Sequence, residues 1–168
     1  MSNVRPHLMQ CRRATVEDLP AICELARELN RSHHAAWPAI FAPDSGASHD
    51  ELHWRQSVLG SANASFVAEL ESQVVGFITL SVIHEDHILV QPGRYARINS
   101  VCVAPTARGV GIGSRLVAVA EEWSVAQGAS DLRLVVYEFN ASAVRLYREL
   151  GFTVRSLAMG KPLARGVV

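Results

Sequence analysis

The sequence predicts a single α/β (α+β) domain, and three observations carry that prediction. An apolar run at 101–103 passes through Pro105 and the hexapeptide Arg108-Gly109-Val110-Gly111-Ile112-Gly113 directly into a helical pattern from Ser114. Two strand-like segments, 65–70 and 74–80, flank a short polar turn at 71–73, as in a β-hairpin. A further apolar segment at 132–137 follows the helix, so strand, helix and strand form a crossover unit with parallel neighbours.

The chain has 168 residues, enough for one domain with a real core. Hydrophobic residues make up 49%, charged residues 19%, and the formal net charge is 0, the profile of a soluble globular protein. Balanced charge gives no electrostatic ground for nucleic acid or membrane as a partner and is compatible with a homodimer. The three cysteines, Cys11, Cys23 and Cys102, lie far apart without a CxxC and read as reduced core thiols, which suits a cytoplasmic protein. The expected picture includes no basic-then-apolar leader and no apolar run near the ~20 residues that cross a bilayer.

In chain order, 10–14 reads as a first strand. Thr15 with Asp18 three residues later has capping-box spacing, and Leu19, Ile22, Ala26 and Leu29 continue as an amphipathic helix to about Asn30. Segment 31–60 holds His33, His34, Trp37, Phe41, His49, His53 and Trp54; Pro38 and Pro43 limit it to a short helix or turn near 31–41 and another near 49–59. Such residues line a small-molecule pocket or the inner face of two short helices. His84 and His87 fall in a polar loop, and with no third ligand they do not make a metal site. Strand 95–103 delivers the glycine hexapeptide, and the helix from near Gly113 stops before Gly128. Asn140 reads as the N-cap of a helix carrying Val144, Tyr147 and Leu150, ended by Gly151; closing strands are expected at 152–154 and 156–159.

The hexapeptide reads as an anion site. The first turn of a helix has backbone N–H groups without internal partners, glycines allow close approach, and Arg108 adds charge. Ser114 stands where a dinucleotide fingerprint needs a third glycine, Asp131 precedes its strand, and the absence of GK[ST] excludes a P-loop. A purely structural glycine turn is the competing reading.

Read together, VxVxPxxRGxGIGxxL at Val101–Leu116 and Asn140-Ala141 through Leu146-Tyr147 to Gly151-Phe152 resemble the GCN5-related N-acetyltransferase (GNAT) superfamily. The resemblance covers most of the chain; 31–60 matches only in layout. It implies a mixed, mainly antiparallel sheet of six to seven strands flanked by about four helices, splayed in its middle to receive acetyl-CoA. Residues 1–168 would form one domain: 10–60 with the acceptor-side segment, 65–137 with the sheet and acetyl-CoA site, 140–160 with the last helix and strand. By the same resemblance Arg108, Gly109, Val110, Gly111, Ile112, Gly113 and Ser114 would hold the pyrophosphate. The backbone of Val101, Cys102 and Val103 would pair with the pantetheine arm, Asn140 would lie beside it, and the Val103 N–H would polarise the thioester carbonyl.

A lysine-type amine has a pKa of about 10.4, so a site must remove a proton before the amine attacks, stabilise the developing oxyanion, and assist the leaving thiolate. Tyr147 matches a tyrosine that many superfamily members place beside the sulfur and is the candidate acid; periodicity alone reads it as a core aromatic. Many relatives carry a glutamate where this chain has Asn99, so the base passes to Glu69, His84, Glu85 or one of His33 and His34. Cys102 invites an acetyl-cysteine route, but no activating partner is evident for it. The expected function is transfer of acetyl from acetyl-CoA to a small-molecule amine or a protein amino group. The alternative is a non-catalytic acyl-CoA-binding module. On the acceptor side, 31–60 offers only Asp44, Asp50 and Glu51 to a polycation.

Overall fold

Order along the chain is β1 (Gln10–Arg13), α1 (Leu19–Ala36), α2 (Ala47–Leu59), β2 (Asn63–Leu70), β3 (Gln73–Glu85), β4 (Gly93–Val103), α3 (Ile112–Ala126), β5 (Leu132–Leu134) and α4 (Ala141–Glu149). The computed structural model describes residues 9–43 and 47–163; Asp44 lies outside them, as do the side chains of His49 and Asp50. The strands form one sheet in the order β1-β2-β3-β4-β5. The first four pair antiparallel and β5 runs parallel to β4.

The sheet is mixed and mainly antiparallel as expected, but among the described residues it has five strands rather than six to seven. Segments 152–154 and 156–159 form no strand, and their apolar residues Val154, Leu157 and Met159 remain exposed. Without a neighbour to take the other half of the ladder, strand-like composition does not make a strand. Likewise β5 ends at Leu134 instead of Tyr137, and Val135 is 80% exposed. Two other expectations are corrected by extension. Helix α1 continues past Asn30 to Ala36 because no breaker occurs before Pro38, and β3 continues to Glu85, which places His84 and Glu85 in a strand rather than a loop.

Alternation along the strands makes two cores. On one face Ile78, Leu80 and Ile98 pack with Ile112, Leu116, Val117 and Ala120 of α3 and its start. On the other, Val67, Phe77 and Cys102 pack with Leu19, Ile22, Leu25 and Ala26 of α1 and Val58 of α2. The entrance to α1 is fixed by charge. The Thr15 N–H donates to Asp18 Oδ2 at 2.8 Å, and Arg12 forks onto both Asp18 oxygens at 2.7 and 2.8 Å while reaching Glu69 Oε1 at 2.6 Å. One guanidinium thus ties β1, β2 and the start of α1 together.

The Arg12 guanidinium, with the Thr15 N–H, holds the buried Asp18 carboxyl below its ordinary range. A depressed folded pKa gives stability that is present above the unfolded value of about 3.9 and lost as pH falls through the folded value. Asp18→Ala is therefore expected to cost about 2 kcal/mol at neutral pH, from the lost cap and charged hydrogen bonds. Urea denaturation should show that difference shrinking as pH drops below about 4.

Candidate active site

Strands β4 and β5 stay together for only three residues: Ala96 with Leu132, Arg97 with Arg133 and Ile98 with Leu134. One position further, β4 bulges. Leu80 stands opposite Ile98 and Thr79 opposite Ser100, which leaves Asn99 without a partner on β3. A single inserted residue reverses which peptide groups face which neighbour. Before the bulge the Ala96 N–H reaches the Asp131 carbonyl on the β5 side at 2.9 Å; beyond it the Ala104 N–H reaches the Val75 carbonyl beside β3 at 2.8 Å. The even-numbered residues now face β3, so the peptide groups of Val101 and Val103 face the gap that β5 has vacated. Consistent with this, the Val103 carbonyl accepts from Arg108 Nε at 3.0 Å.

The start of α3 closes one end of the gap. Gly111 occupies the N-cap with φ 86°, a left-handed conformation that a side chain would strain, and no side chain caps the helix. The Arg115 N–H bonds the Gly111 carbonyl at 3.1 Å. Ile112, Gly113 and Ser114 precede it, and first-turn amides of this kind have no carbonyl to meet within the helix. Ile112 and Leu116 are buried against the sheet, which fixes where those amides stand. A Cβ on Gly113 would come within 3.0 Å of Leu146 Cδ2, so this glycine sets the approach of α4 to α3.

Helix α4 borders the same region. Asn140 caps it, its Oδ1 accepting from the Ala143 N–H at 3.2 Å and from Ser142 Oγ at 3.1 Å. Tyr147 packs edge-on against Phe152 with ring centres 5.6 Å apart, beside the core that carries α3. Burial pushes its phenol pKa up, so the hydroxyl holds its proton at neutral pH. Tyr147 is thus both the core aromatic that periodicity indicates and a retained proton donor.

The candidate bases separate. Glu69 is engaged by Arg12. His84 and Glu85 pair with Arg94 and Gly93 at the opposite end of β4, so the rise per strand residue puts them about 23 to 26 Å from Val101. Glu85 there joins a charge network with Arg133, which in turn shares Asp131 with Arg155. Asn99 itself is satisfied, its Oδ1 accepting from Arg97 Nε at 3.0 Å and its Nδ2 donating to Ser81 Oγ at 3.2 Å. His33 and His34 remain, on the last turns of α1. His34 Nδ1 meets the Phe41 carbonyl at 2.7 Å and His33 Nδ1 meets the Leu29 carbonyl at 2.8 Å. A carbonyl can only accept, so both Nδ1 atoms carry hydrogen, and in the neutral rings Nε2 holds the free lone pair.

Around His33 the fold assembles a ring cluster that joins residues of the 31–60 segment to two rings from far along the chain. Phe41 lies 4.9 Å from His33, Phe139 lies 5.3 Å from His33 and 5.2 Å from Trp37, and Tyr137 lies 4.9 Å from Phe41, all edge-to-face. Two of these rings come from the stretch between β5 and Asn140. In the sequence Tyr137 ends the expected strand 132–137, and the signal for Phe139 is two aromatics two residues apart just before a helix cap.

The Cys102 thiol points away from chemistry. Its Sγ donates to the Leu25 carbonyl of α1 at 3.2 Å, and burial raises its pKa to about 11. Its backbone, not its sulfur, belongs to the gap-lining strand.

The family model described as the Acetyltransferase (GNAT) family matches residues 22–152, and the chain belongs to that family. A mycothiol acetyltransferase of Frankia alni is 30% identical over 132 residues, which is 72% of this chain but 40% of that protein; the chain spans about two fifths of that relative's length. An IAA acetyltransferase of Azospirillum brasilense is 29% identical over 169 residues, covering 94% of this chain and 99% of the relative. A mutant of the BH1408 protein from Bacillus halodurans superposes with a TM-score of 0.86 at 23% identity, over 92% of this chain and 99% of that one, and thus shares the fold.

At a pKa of about 11, roughly one Cys102 in a thousand is thiolate at pH 8. Alkylation mapped by mass spectrometry should therefore modify the partly exposed Cys11 well before Cys102. Rapid labelling of Cys102 in the folded chain would contradict this assignment.

Proposed function

We propose that this chain is an N-acetyltransferase that moves the acetyl group of acetyl-CoA to a primary amine by direct attack in a ternary complex. The observation that carries the reading is the alignment of two sets of unused backbone donors along one gap. The Val101 and Val103 peptides face it from β4, and the amides of 112–114 open at its end. An extended acyl-pantetheine adds to such a strand edge by peptide-like hydrogen bonds, and a pyrophosphate suits the helix start with Arg108 beside it. Asn140 Nδ2 is the side-chain donor on the facing helix.

Within that arrangement each residue has a definite task. The Val103 N–H donates to the thioester oxygen as negative charge develops there. His33 Nε2, directly or through one water, takes the first proton from the ammonium. The freed nitrogen then forms its bond to the carbonyl carbon as the C=O π pair moves to oxygen. On collapse the C–S bond breaks, Tyr147 gives its proton to the departing sulfur, and the proton shed by the new amide nitrogen restores the phenol. The sum is amide, free thiol and one proton released to solvent. The relatives are named for unlike substrates, mycothiol and IAA, so the acceptor must be argued from this chain's own residues.

Asn99, already occupied by Arg97 and Ser81, favours a second reading in which the chain binds acyl-CoA without turning it over. Thiol release from acetyl-CoA against a panel of primary amines separates the two. Turnover is expected, with Tyr147→Phe lowering kcat about a hundredfold while acetyl-CoA affinity changes little. Arg108→Ala should weaken acetyl-CoA binding about tenfold. Tight binding with no turnover across the panel would favour the binding module.

A further inference from the structure

The ring cluster lies where an acceptor would have to wait. Phe139 is the chain neighbour of Asn140, the cap of α4, and Tyr137 stands three residues past the point where β5 leaves β4. Its other members come from the end of α1, which packs on the face opposite α3 and α4. If donor groups occupy the gap from the α3 end, an amine must approach the thioester carbon from another side, and the α1 side is the one furnished with apolar rings.

Resting on the transferase reading above, we propose that His33, Trp37, Phe41, Tyr137 and Phe139 form the acceptor subsite, and that it takes a primary amine carried on a flat aromatic group. The rings come from three separate segments, and each is only partly buried. They contact one another edge-to-face at 4.9 to 5.7 Å, apart from the near-parallel Tyr137 and Phe139 and the wider Phe41–Phe139 pair at 6.2 Å. One further ring extends such an assembly at the same spacing and covers surface that water otherwise meets.

The cluster is also held ready. The Phe41 N–H donates to the Trp37 carbonyl at 3.0 Å and the Phe41 carbonyl accepts from His34, so the turn after α1 is clasped back onto the helix. His34 is therefore a positioning residue. The described contacts of the five rings are ring to ring or ring nitrogen to carbonyl, and the carboxylate of the same stretch, Glu138, is exposed and makes no described contact with them. Glu28, one turn before His33, is paired with Arg31 at 3.0 Å. This composition suits a monoamine and disfavours a polyamine.

The test compares 2-phenylethylamine, 2-cyclohexylethylamine, butylamine and spermidine with the parent chain and with Phe139→Leu and Tyr137→Leu. The parent should favour phenylethylamine over the others in kcat/KM by about tenfold, the scale of one or two aromatic contacts. Each leucine variant should erase most of that preference through KM, with acetyl-CoA affinity retained as the control for folding. Equal or better use of butylamine or spermidine, or a preference unchanged by both leucine variants, would overturn the inference while leaving the transferase reading intact. Should no amine release thiol, the transferase reading fails, and calorimetry of phenylethylamine with the CoA-bound chain decides the subsite. Binding lost in Phe139→Leu supports it, and absence of binding overturns it.

Discussion

The bulge at Asn99 is the constraint on which the rest of the site depends. Without it, Val101 and Val103 would spend their peptide groups on β3, and β4 would present to its other neighbour the groups that the regular ladder requires. One extra residue changes that parity at the place where β5 leaves the sheet. A strand that is fully paired on one edge thus carries, for its last few residues, an open edge on the other. An unpaired edge inside a protein is a liability unless something occupies it. Here the edge leads directly into the helix start at Gly111, where further amides lack partners.

The two faces of the sheet divide the work. Packing of Ile112, Leu116 and Val117 on Ile78 and Leu80 holds the start of α3 against the end of β4, so the anion site and the open edge keep a fixed relation. Packing of Leu25 and Ile22 on Phe77 and Cys102 carries α1 across the opposite face, and its last turns bring His33 and Trp37 to the β5–α4 stretch. On the proposed reading, donor and acceptor contacts are built on different helices, and the central strands β3 and β4 touch both.

Local chemistry made part of this visible in the sequence. The Thr15–Asp18 box, the Asn140 cap and the helix stop at Gly151 each act within a few residues and formed where expected, and Gly109 and Gly111 adopt the positive φ values that the turn before α3 requires. The bulge was not legible, because Ile98-Asn99-Ser100 alternates like an ordinary strand and the extra residue is defined only against β3. The ring cluster was legible only by half: His33, Trp37 and Phe41 stood out in one segment, but their partners Tyr137 and Phe139 are about a hundred residues on and share no period with them. The missing strands at 152–159 show the limit from the other side, since Val154 and Leu157 have strand-forming composition yet pair with no strand and stay exposed. Cys102 read as a core thiol that also invited an acetyl-cysteine route; the Leu25 carbonyl that accepts its hydrogen bond lies on another element and was not legible.

Amide hydrogen exchange with and without CoA tests the central claim most directly, because it reads the backbone donors themselves. Protection is predicted to rise in the peptides spanning 101–103 and 109–114, while β2, paired on both edges, stays unchanged. Binding of CoA without added protection at those two segments would contradict the account of the bulged edge and the helix start as the donor site.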